Sequence, residues 1–352
     1  MRLPKIALEE AFDLPGSVDR LRAIPFDELR RLSYAYGVSP EFLDRGSPRL
    51  AEFDRVRLEE MDANGVTHSI LSLGGLHTIE QLADPDEAVA DARRVNDFLA
   101  EQVARRPDRY SGFASVALQA PDEAIRELER AITHLGFKGV LVNGFANTAD
   151  PERGRYLDDP ALDEFWSATE ALGVPVYLHP RINLFGGKGI YADHTELLGH
   201  VWGFGTETST HVLRIIFSGV FDRHPNAKLI IGHLGEGLPA LLGRVQYTFD
   251  HTPQDKHINR SLQEYFADNI LLTTSGNFND QALIAAVLTV GADNILFSVD
   301  YPWAETSVAA PWIERAPISV TDRHKISHRN AERIFGLPAQ RLDPGEQLLI
   351  PR

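Results

Sequence analysis

The chain has 352 residues, with ordinary hydrophobic (43%) and charged (24%) contents and a formal net charge of −15. This acidic balance disfavours nucleic-acid and anionic-membrane partners, because their phosphate groups would be repelled. The absence of cysteine excludes disulfides, thiolate metal ligands and a cysteine nucleophile. The chain start lacks the apolar core of a signal peptide and no run has the length of a membrane span, which predicts a cytoplasmic protein.

Eight short runs rich in Val, Ile, Leu and Thr are spaced along the chain. They contain few polar residues, as expected of parallel strands that are covered on both faces. In chain order, the predicted strands are Lys5–Leu8, His68–Leu73, Tyr110–Val116, Gly139–Asn143, Val174–Leu178, Lys228–Ile231, Ile270–Thr274 and Asn294–Val299. Most intervening stretches predict helices; residues 85–107, for example, have an early proline, early acids, late arginines and a final proline.

This alternation predicts an α/β fold, a distorted (β/α)8 or TIM barrel that forms a single domain over residues 1–352. The alternative is an open doubly wound sheet, but no G-x-G-x-x-G segment follows a predicted strand. Three segments fall outside the alternation. The largely helical Asp13–Asp54 predicts an extra N-terminal insertion over one barrel mouth. The polar loops Phe145–Asp159 and Pro180–Thr206 are expected to wall a site.

A polar side chain directly follows four of the strands, namely Glu9, His179, His233 and Asp300. Carboxyl ends of barrel strands are where residues distant in sequence converge. A Glu-His-Asp set on the first, fifth and eighth strands suits Mn²⁺, Zn²⁺ or Mg²⁺. Simpler interpretations remain open, because His179 could cap the core and Asp300 could begin a helix. Glu9 and Glu10 are adjacent, so in a strand their side chains would point to opposite faces. The simpler interpretation is that both side chains are solvated.

Further polar residues lie beyond the sixth and seventh strands. Glu236, three residues after His233, could fix the imidazole in one tautomer for acid–base catalysis, or could simply favour a helix start. Arg244, eleven residues after His233, could bind a substrate carboxylate or form a surface salt bridge. Asn277, in TTSGNF, could contact substrate or merely shape a turn.

The other eleven histidines lack a comparable context, and ordinary packing or surface roles are expected for them. They are His68, His77, His134, His194, His200, His211, His224, His251, His257, His324 and His328.

At these positions the chain resembles the amidohydrolase superfamily, and within it the nonoxidative decarboxylases of hydroxylated benzoates, such as γ-resorcylate (2,6-dihydroxybenzoate), 2,3-dihydroxybenzoate and 5-carboxyvanillate decarboxylases. The segments that carry the resemblance run over nearly the whole chain: KIALEEAF, RPDRYSGFA, LGFKGVLVNGF, YLHPR, GVFDRHP, IIGHLGEGLP, TTSGNF, ILFSVDYP and NAERIFGL. The resemblance implies a small aromatic carboxylate as substrate and a homodimer or homotetramer as assembly.

The resemblance also implies roles for single residues. Glu9, His179 and Asp300 would hold one divalent metal ion, and Asp300 would protonate the ring carbon that bears the carboxylate. The pair His233 and Glu236 would stabilise charge or relay a proton, and Arg244 would bind the substrate.

One departure from the superfamily pattern narrows the chemistry. Hydrolytic relatives typically begin with His-x-His and may carry a bridging lysine after the fourth strand, whereas this chain has Glu9-Glu10-Ala11 and Asn143 there. We therefore expect a single metal and a nonoxidative decarboxylation that is in principle reversible. The alternatives are a mononuclear hydrolase of an amide, lactone or ester, and a noncatalytic barrel that binds aromatic acids.

Overall fold

The computed structural model describes residues 2–25, 27–28, 39–74, 77–184, 186, 188–253, 255 and 258–340. The strands are β1 (Lys5–Phe12), β2 (Val66–Leu73), β3 (Tyr110–Gly112), β4 (Val140–Asn143), β5 (Ala146–Asn147), β6 (Gly154–Arg155), β7 (Val176–His179), β8 (Leu229–Ile231), β9 (Ile270–Thr273) and β10 (Ile295–Leu296). His257 from the list of ordinary histidines lies outside the described residues.

The α-helices alternate with these strands. They are α1 (Pro15–Arg22), α2 (Pro40–Leu50), α3 (Val56–Asn64), α4 (Pro85–Arg105), α5 (Pro121–Thr133), α6 (Asp163–Leu172), α7 (Gly203–Phe217), α8 (Val220–Arg223), α9 (Leu238–His251), α10 (Leu262–Asn269), α11 (Asp280–Val290), α12 (Thr306–Arg315), α13 (Val320–His324) and α14 (Asn330–Phe335). Short 3₁₀ helices include Ile79–Gln81, and a π-helix spans Lys325–Arg329. In the described part of the chain, no helix is long and apolar enough to cross a membrane.

The strands form an α/β fold with parallel sheets. One sheet has the order β1-β2-β3 and the other the order β10-β9-β8-β7-β4, and every pairing within them is parallel. Isolated parallel bridges, Leu8 to Ser298 and Ala114 to Val140, connect the outer strands of the two sheets. Each of the eight predicted strands overlaps one of these strands.

The predicted loop Phe145–Asp159 is not entirely irregular, because β5 and β6 pair within it as a small antiparallel hairpin. Side chains stabilise the hairpin. Thr148 Oγ1 donates to the Arg153 carbonyl (2.8 Å), and the Arg155 guanidinium donates to two backbone carbonyls of a neighbouring loop. The sequence therefore predicted a loop that walls a site, and the loop does line the cavity, but its strand pairing was not predicted.

The helix signals in the sequence correspond to real helix starts. Before α4, the Asp84 side chain accepts a hydrogen bond from the Glu87 amide (2.9 Å), and Pro85 takes the first helical position. Before α10, Ser261 and Glu264 form a capping box.

Alternate residues of each strand pack into two different apolar layers. In β7, Val176 and Leu178 belong to the layer shared with the helices, whereas Tyr177 belongs to an inner cluster. Strands β1, β2, β4, β7, β8, β9 and β10 and the residue just after β3 all contribute to the inner cluster: Ile6, Leu8, Ile70, Phe113, Leu141, Tyr177, Ile230, Leu271 and Leu296. Burying a side chain of this size contributes about 1.5–3 kcal/mol.

The described part of Asp13–Asp54 contains α1 and α2, and residues 26 and 29–38 of this segment lie outside the description. The Phe42 ring of α2 stacks on His200 (5.2 Å between centroids) and on Trp303 (5.4 Å). Helix α2 therefore packs on loops that follow β7 and β10.

Candidate active site

The structure brings the four predicted residues together: His179, His233 and Asp300 lie at or just after the carboxyl ends of β7, β8 and β10. Glu9 lies within β1, which continues to Phe12 beyond the predicted end at Leu8, at a point where the strand register shifts. Glu9 Oε1 lies 3.6 Å from His179 Nε2 and 3.8 Å from His233 Nε2, and His233 Nε2 lies 3.9 Å from Asp300 Oδ2. Glu9, His233 and Asp300 each offer one ligand atom within 4.8 Å of the others. Two ligands about 2.1 Å from a common ion lie at most about 4.2 Å apart, so the three separations of 3.6, 3.8 and 3.9 Å suit a metal.

The backbone at these positions is held in a rarely populated conformation. Among the described residues, six non-glycine residues have a positive φ, and four of them are Glu9 (56°), His233 (52°), Glu236 (54°) and Asp300 (77°). Such a conformation costs on the order of 1–3 kcal/mol per residue and is typical of functional sites.

Two glycines leave the space that these side chains occupy. A Cβ on Gly232 would lie 2.8 Å from Glu9 Oε2. A Cβ on Gly276 would lie 3.1 Å from His233 Cδ2 and 3.2 Å from Asp300 Oδ2, and Gly276 also has a φ of +59°. Both positions thus favour glycine, because the site side chains approach the backbone closely there. At Gly276 the positive φ is a second reason.

Glu9 is a buried carboxylate whose charge is only partly compensated. It is 2% exposed, Tyr177 donates its hydroxyl hydrogen bond to Oε2, and Thr273 Oγ1 lies 2.7 Å from the Tyr177 oxygen. Oε1 has no hydrogen-bond partner among the described residues. Burial raises the pKa of Glu9 to about 7, although the nearby His233 opposes the shift. An unpartnered buried oxygen beside two imidazoles therefore fits a bound cation.

Glu10, next to Glu9, makes a hydrogen bond outside this cluster, and the register of β1 is irregular between Ala7 and Glu10. Its Oε1 accepts a hydrogen bond from the Val299 amide (2.9 Å), and burial raises its pKa to about 8 against the opposing charge of Arg57. Since Glu9 and Glu10 are only 2% and 4% exposed, the alternative that both are solvated is wrong.

His233 and Glu236 form the expected pair. His233 Nδ1 lies 2.7 Å from Glu236 Oε1, which leaves Nε2 directed at Glu9 and Asp300. Burial alone would lower the pKa of His233, but the three carboxylates outweigh burial and raise it well above its usual value. Helix α9 begins at Leu238 with Gly237 as its cap, so Glu236 is not the N-cap of that helix.

His179 and Asp300 are also placed at the site. Burial lowers the pKa of His179 to about 4, so its imidazole is neutral and able to bind a metal, and its Nδ1 has no partner among the described residues. Asp300 is not a helix N-cap, because α12 begins at Thr306 after Glu305.

A cavity of about 1370 Å³ opens above the cluster. His179, His233, Asp300 and Asn277 line it, and Asn277 Nδ2 donates to the His233 carbonyl (3.0 Å). Arg244 does not line it. It lies exposed on α9, with no hydrogen bond or ion pair to any described residue, so the salt bridge is not observed within this chain, and the substrate contact stays a prediction.

Sequence reasoning missed several residues of the site. Tyr177 lies two positions before His179 and therefore on the same face of the strand, a signal that was present in the sequence. His200 lines the cavity, so its assignment to the ordinary histidines is corrected. Asn143 and Arg181 also line the cavity, and the only signal was their position, Asn143 at the end of a predicted strand and Arg181 shortly after one.

A buried carboxylate–imidazole cluster at the carboxyl ends of parallel strands is typical of metal-dependent enzymes with this α/β architecture. The family model described as amidohydrolase matches residues 38–337. This chain belongs to the amidohydrolase family.

Proteins similar to this chain are named decarboxylases. The γ-resorcylate decarboxylase of Rhizobium radiobacter is 41% identical over 336 residues, which cover 95% of this chain and 98% of the relative. A 2,6-dihydroxybenzoate decarboxylase crystallised with 2,6-dihydroxybenzoate has a TM-score of 0.87 and 40% identity, covering 96% of this chain and 100% of that one. A dihydroxybenzoic acid decarboxylase from Polaromonas sp. JS666, with bound manganese and 2-nitroresorcinol, has a TM-score of 0.85 and 41% identity, covering 96% of this chain and 97% of that one.

Proposed function

We propose that this chain is a metal-dependent carboxy-lyase that removes CO2 nonoxidatively from a hydroxylated benzoate such as 2,6- or 2,3-dihydroxybenzoate. The observation that carries the proposal is the buried, unpartnered Glu9 oxygen beside two imidazoles, in a chain about 40% identical to dihydroxybenzoate decarboxylases over nearly its full length. A cytoplasmic location and assembly as a homodimer or homotetramer stay predictions.

The proposed fold is one closed (β/α)8 barrel with an N-terminal helical insertion. Two bridges connect the outer strands of the sheets, and seven of the strands together with Phe113, just after β3, contribute to one inner apolar cluster. Closure would place every strand end around the same cavity. Residues 1–352 would then form a single domain.

We assign the metal to Glu9, His179 and Asp300, with His233 kept for the substrate. One divalent ion bound there, Mn²⁺, Zn²⁺ or Mg²⁺, would neutralise and orient the substrate carboxylate and the adjacent phenolate oxygen. His233 lies slightly farther from Glu9 Oε1 (3.8 Å) than His179 does (3.6 Å), and its pairing with Glu236 favours the role of proton donor.

The chain's own residues would then move one proton. The His233 imidazolium passes its Nε2 proton to Asp300, and Asp300 donates it to the ring carbon that bears the carboxylate. The bond from that carbon to the carboxylate breaks, its electron pair restores the aromatic ring, and CO2 leaves. Glu236 holds the imidazole in the tautomer and orientation that this transfer requires.

The test measures CO2 release from 2,6- and 2,3-dihydroxybenzoate. We expect metal-free protein to be inactive, activity to return on adding Mn²⁺, Zn²⁺ or Mg²⁺, and Asp300→Asn with metal to lose at least about a hundredfold in kcat. Full activity without metal would refute the proposal. Release of a new carboxylate from amides, lactones or esters, without CO2, would favour the mononuclear hydrolase.

A further inference from the structure

Glu80 is a buried acidic residue that the proposed reaction does not use. It lies in the 3₁₀ helix Ile79–Gln81 and is 1% exposed. Its Oε1 accepts a hydrogen bond from the Asn143 backbone amide (3.0 Å), and its Oε2 accepts from Asn143 Nδ2 (3.4 Å). The carboxylate thus holds both the backbone and the side chain of a single residue at the end of β4.

Asn143 connects this carboxylate to the active site. It lines the cavity and is the β4 residue paired with His179, a proposed metal ligand. Gly144 follows with a φ of +66°, its amide donates to the His179 carbonyl (2.9 Å), and a Cβ there would lie 2.6 Å from the Arg181 Cβ. The end of β4 is therefore closely packed against the segment that carries His179.

The surroundings of Asn143 determine which atom of its amide faces the cavity. Nδ2 donates to Glu80 Oε2 and to the Leu73 carbonyl, both at 3.4 Å. A flipped amide would turn its oxygen towards a carboxylate and a carbonyl, which are both acceptors. No donor among the described residues reaches Asn143 Oδ1. The amide oxygen is therefore the atom left for the cavity, where it can accept a hydrogen bond.

Hydrogen-bond donors and a positive charge surround Glu80. Burial raises the pKa of Glu80, and the hydrogen bonds from Asn143 and the positive charge of Arg181 oppose this shift without cancelling it. Arg181 is fixed over the Phe145 ring (4.2 Å) and donates to the Glu80 carbonyl (3.2 Å). As long as Glu80 is ionised it can only accept hydrogen bonds, so it imposes one orientation on the Asn143 amide.

We propose that Glu80 is a positioning residue that orients the Asn143 amide, so that Oδ1 recognises a ring hydroxyl other than the one beside the metal. This rests on the proposed function, since it concerns the same substrate class. Replacing Glu80 by glutamine would supply an N–H donor, which would favour the flipped Asn143 amide with its nitrogen towards the cavity. The Glu80→Gln variant would then discriminate less between substrates with and without the second hydroxyl.

The experiment uses full-length, Mn²⁺-loaded protein and two pairs of compounds that differ by one hydroxyl. The first pair is 2,6-dihydroxybenzoate and 2-hydroxybenzoate, compared by kcat/KM. The second pair is the unreactive 2-nitroresorcinol and 2-nitrophenol, compared by calorimetric Kd. In each pair, we expect Glu80→Gln to lower the preference for the dihydroxy compound about tenfold, the value of one hydrogen bond.

Two further variants control the result. Glu127 is also buried (3% exposed) and accepts a hydrogen bond from Asn96 Nδ2 (2.7 Å), but it does not line the cavity, so Glu127→Gln should keep the preference. Asn143→Ala should lower the preference, and adding Glu80→Gln to it should have no further effect.

An unchanged preference in Glu80→Gln, or an equal loss for both compounds of a pair, would overturn the inference. If wild-type protein releases no CO2, the proposed function fails, and the affinities of the nitro compounds alone still decide the role of Glu80.

Discussion

The hydroxyl of Tyr177 should determine how tightly the proposed metal binds. It donates to Glu9 Oε2 and lies 2.7 Å from Thr273 Oγ1, in a part of the interior with no access to solvent. Tyr177→Phe removes this donor and leaves the shape of the core almost unchanged. Glu9 would then be less well oriented, and its pKa would rise further, so protons would compete better with the metal.

The magnitude follows from the kind of contact that is lost. A hydrogen bond to a charged group contributes about 1.5–3 kcal/mol, and groups that orient metal ligands typically change metal affinity about 10- to 100-fold. We therefore expect the Kd for Mn²⁺ to rise about 10- to 100-fold in Tyr177→Phe. Calorimetric titration of metal-free protein with Mn²⁺ at pH 7 measures this directly.

Tyr110 provides a matched control. It is 1% exposed and donates its hydroxyl to the Phe53 carbonyl (2.8 Å), away from the cavity. Tyr110→Phe also loses one buried hydrogen bond, so both variants should lose about 1–3 kcal/mol in the free energy of unfolding. Only Tyr177→Phe should bind Mn²⁺ more weakly. Wild-type affinity in Tyr177→Phe, or equal weakening in Tyr110→Phe, would refute the reasoning.

Two further predictions concern backbone geometry and acid stability. Gly276→Ala should lower kcat/KM about 10- to 100-fold, because its Cβ would displace His233 and Asp300. The control Gly173→Ala has a φ of +67° and open space around it, so it should lose only about 1 kcal/mol of stability and keep its kinetics. Similar kinetics in the two variants would contradict this prediction. In the folded protein, burial lowers the pKa of His211 to about 3, whereas in the unfolded chain the same imidazole has a pKa of about 6.5. Below pH 6.5 the unfolded chain therefore binds more protons than the folded protein. The free energy of unfolding should fall by about 1.4 kcal/mol per pH unit as the pH decreases from 6.5 towards 3. Urea unfolding between pH 7 and pH 5 should show a smaller loss in His211→Gln, and an unchanged loss would count against this assignment.

The sequence predicted the eight parallel strands because strands buried on both faces must be apolar throughout, and such runs are visible without a structure. It also predicted the convergence of Glu9, His179, His233 and Asp300, because residues that end parallel strands must meet at one edge of the sheet. The opposite directions of Glu9 and Glu10, expected from the two-residue period of a strand, stay a prediction, because β1 is irregular between Ala7 and Glu10 and Glu9 has a φ of 56°.

Residues that act across strands or from loops were not predictable in this way. The donor to Glu9 comes from β7, and Glu80 reaches Asn143 from a 3₁₀ helix 63 residues earlier in the chain. The spacing of Arg244 from His233 left a substrate contact and a surface position both open, and in this chain the residue is exposed on α9 and outside the lining of the cavity. Spacing along a helix fixes a residue's face only once the packing of that helix is known.

The sequence by itself determined the architecture and the chemical types present at the strand ends, because burial and periodicity are local properties of the chain. Only the tertiary structure decided the hydrogen bonding and the pKa values of those groups. Glu9 has one oxygen bonded to Tyr177 and one without a partner among the described residues, and His233 lies between three carboxylates that raise its pKa. These properties depend on distances between atoms that are far apart in sequence, and only the packed fold sets those distances.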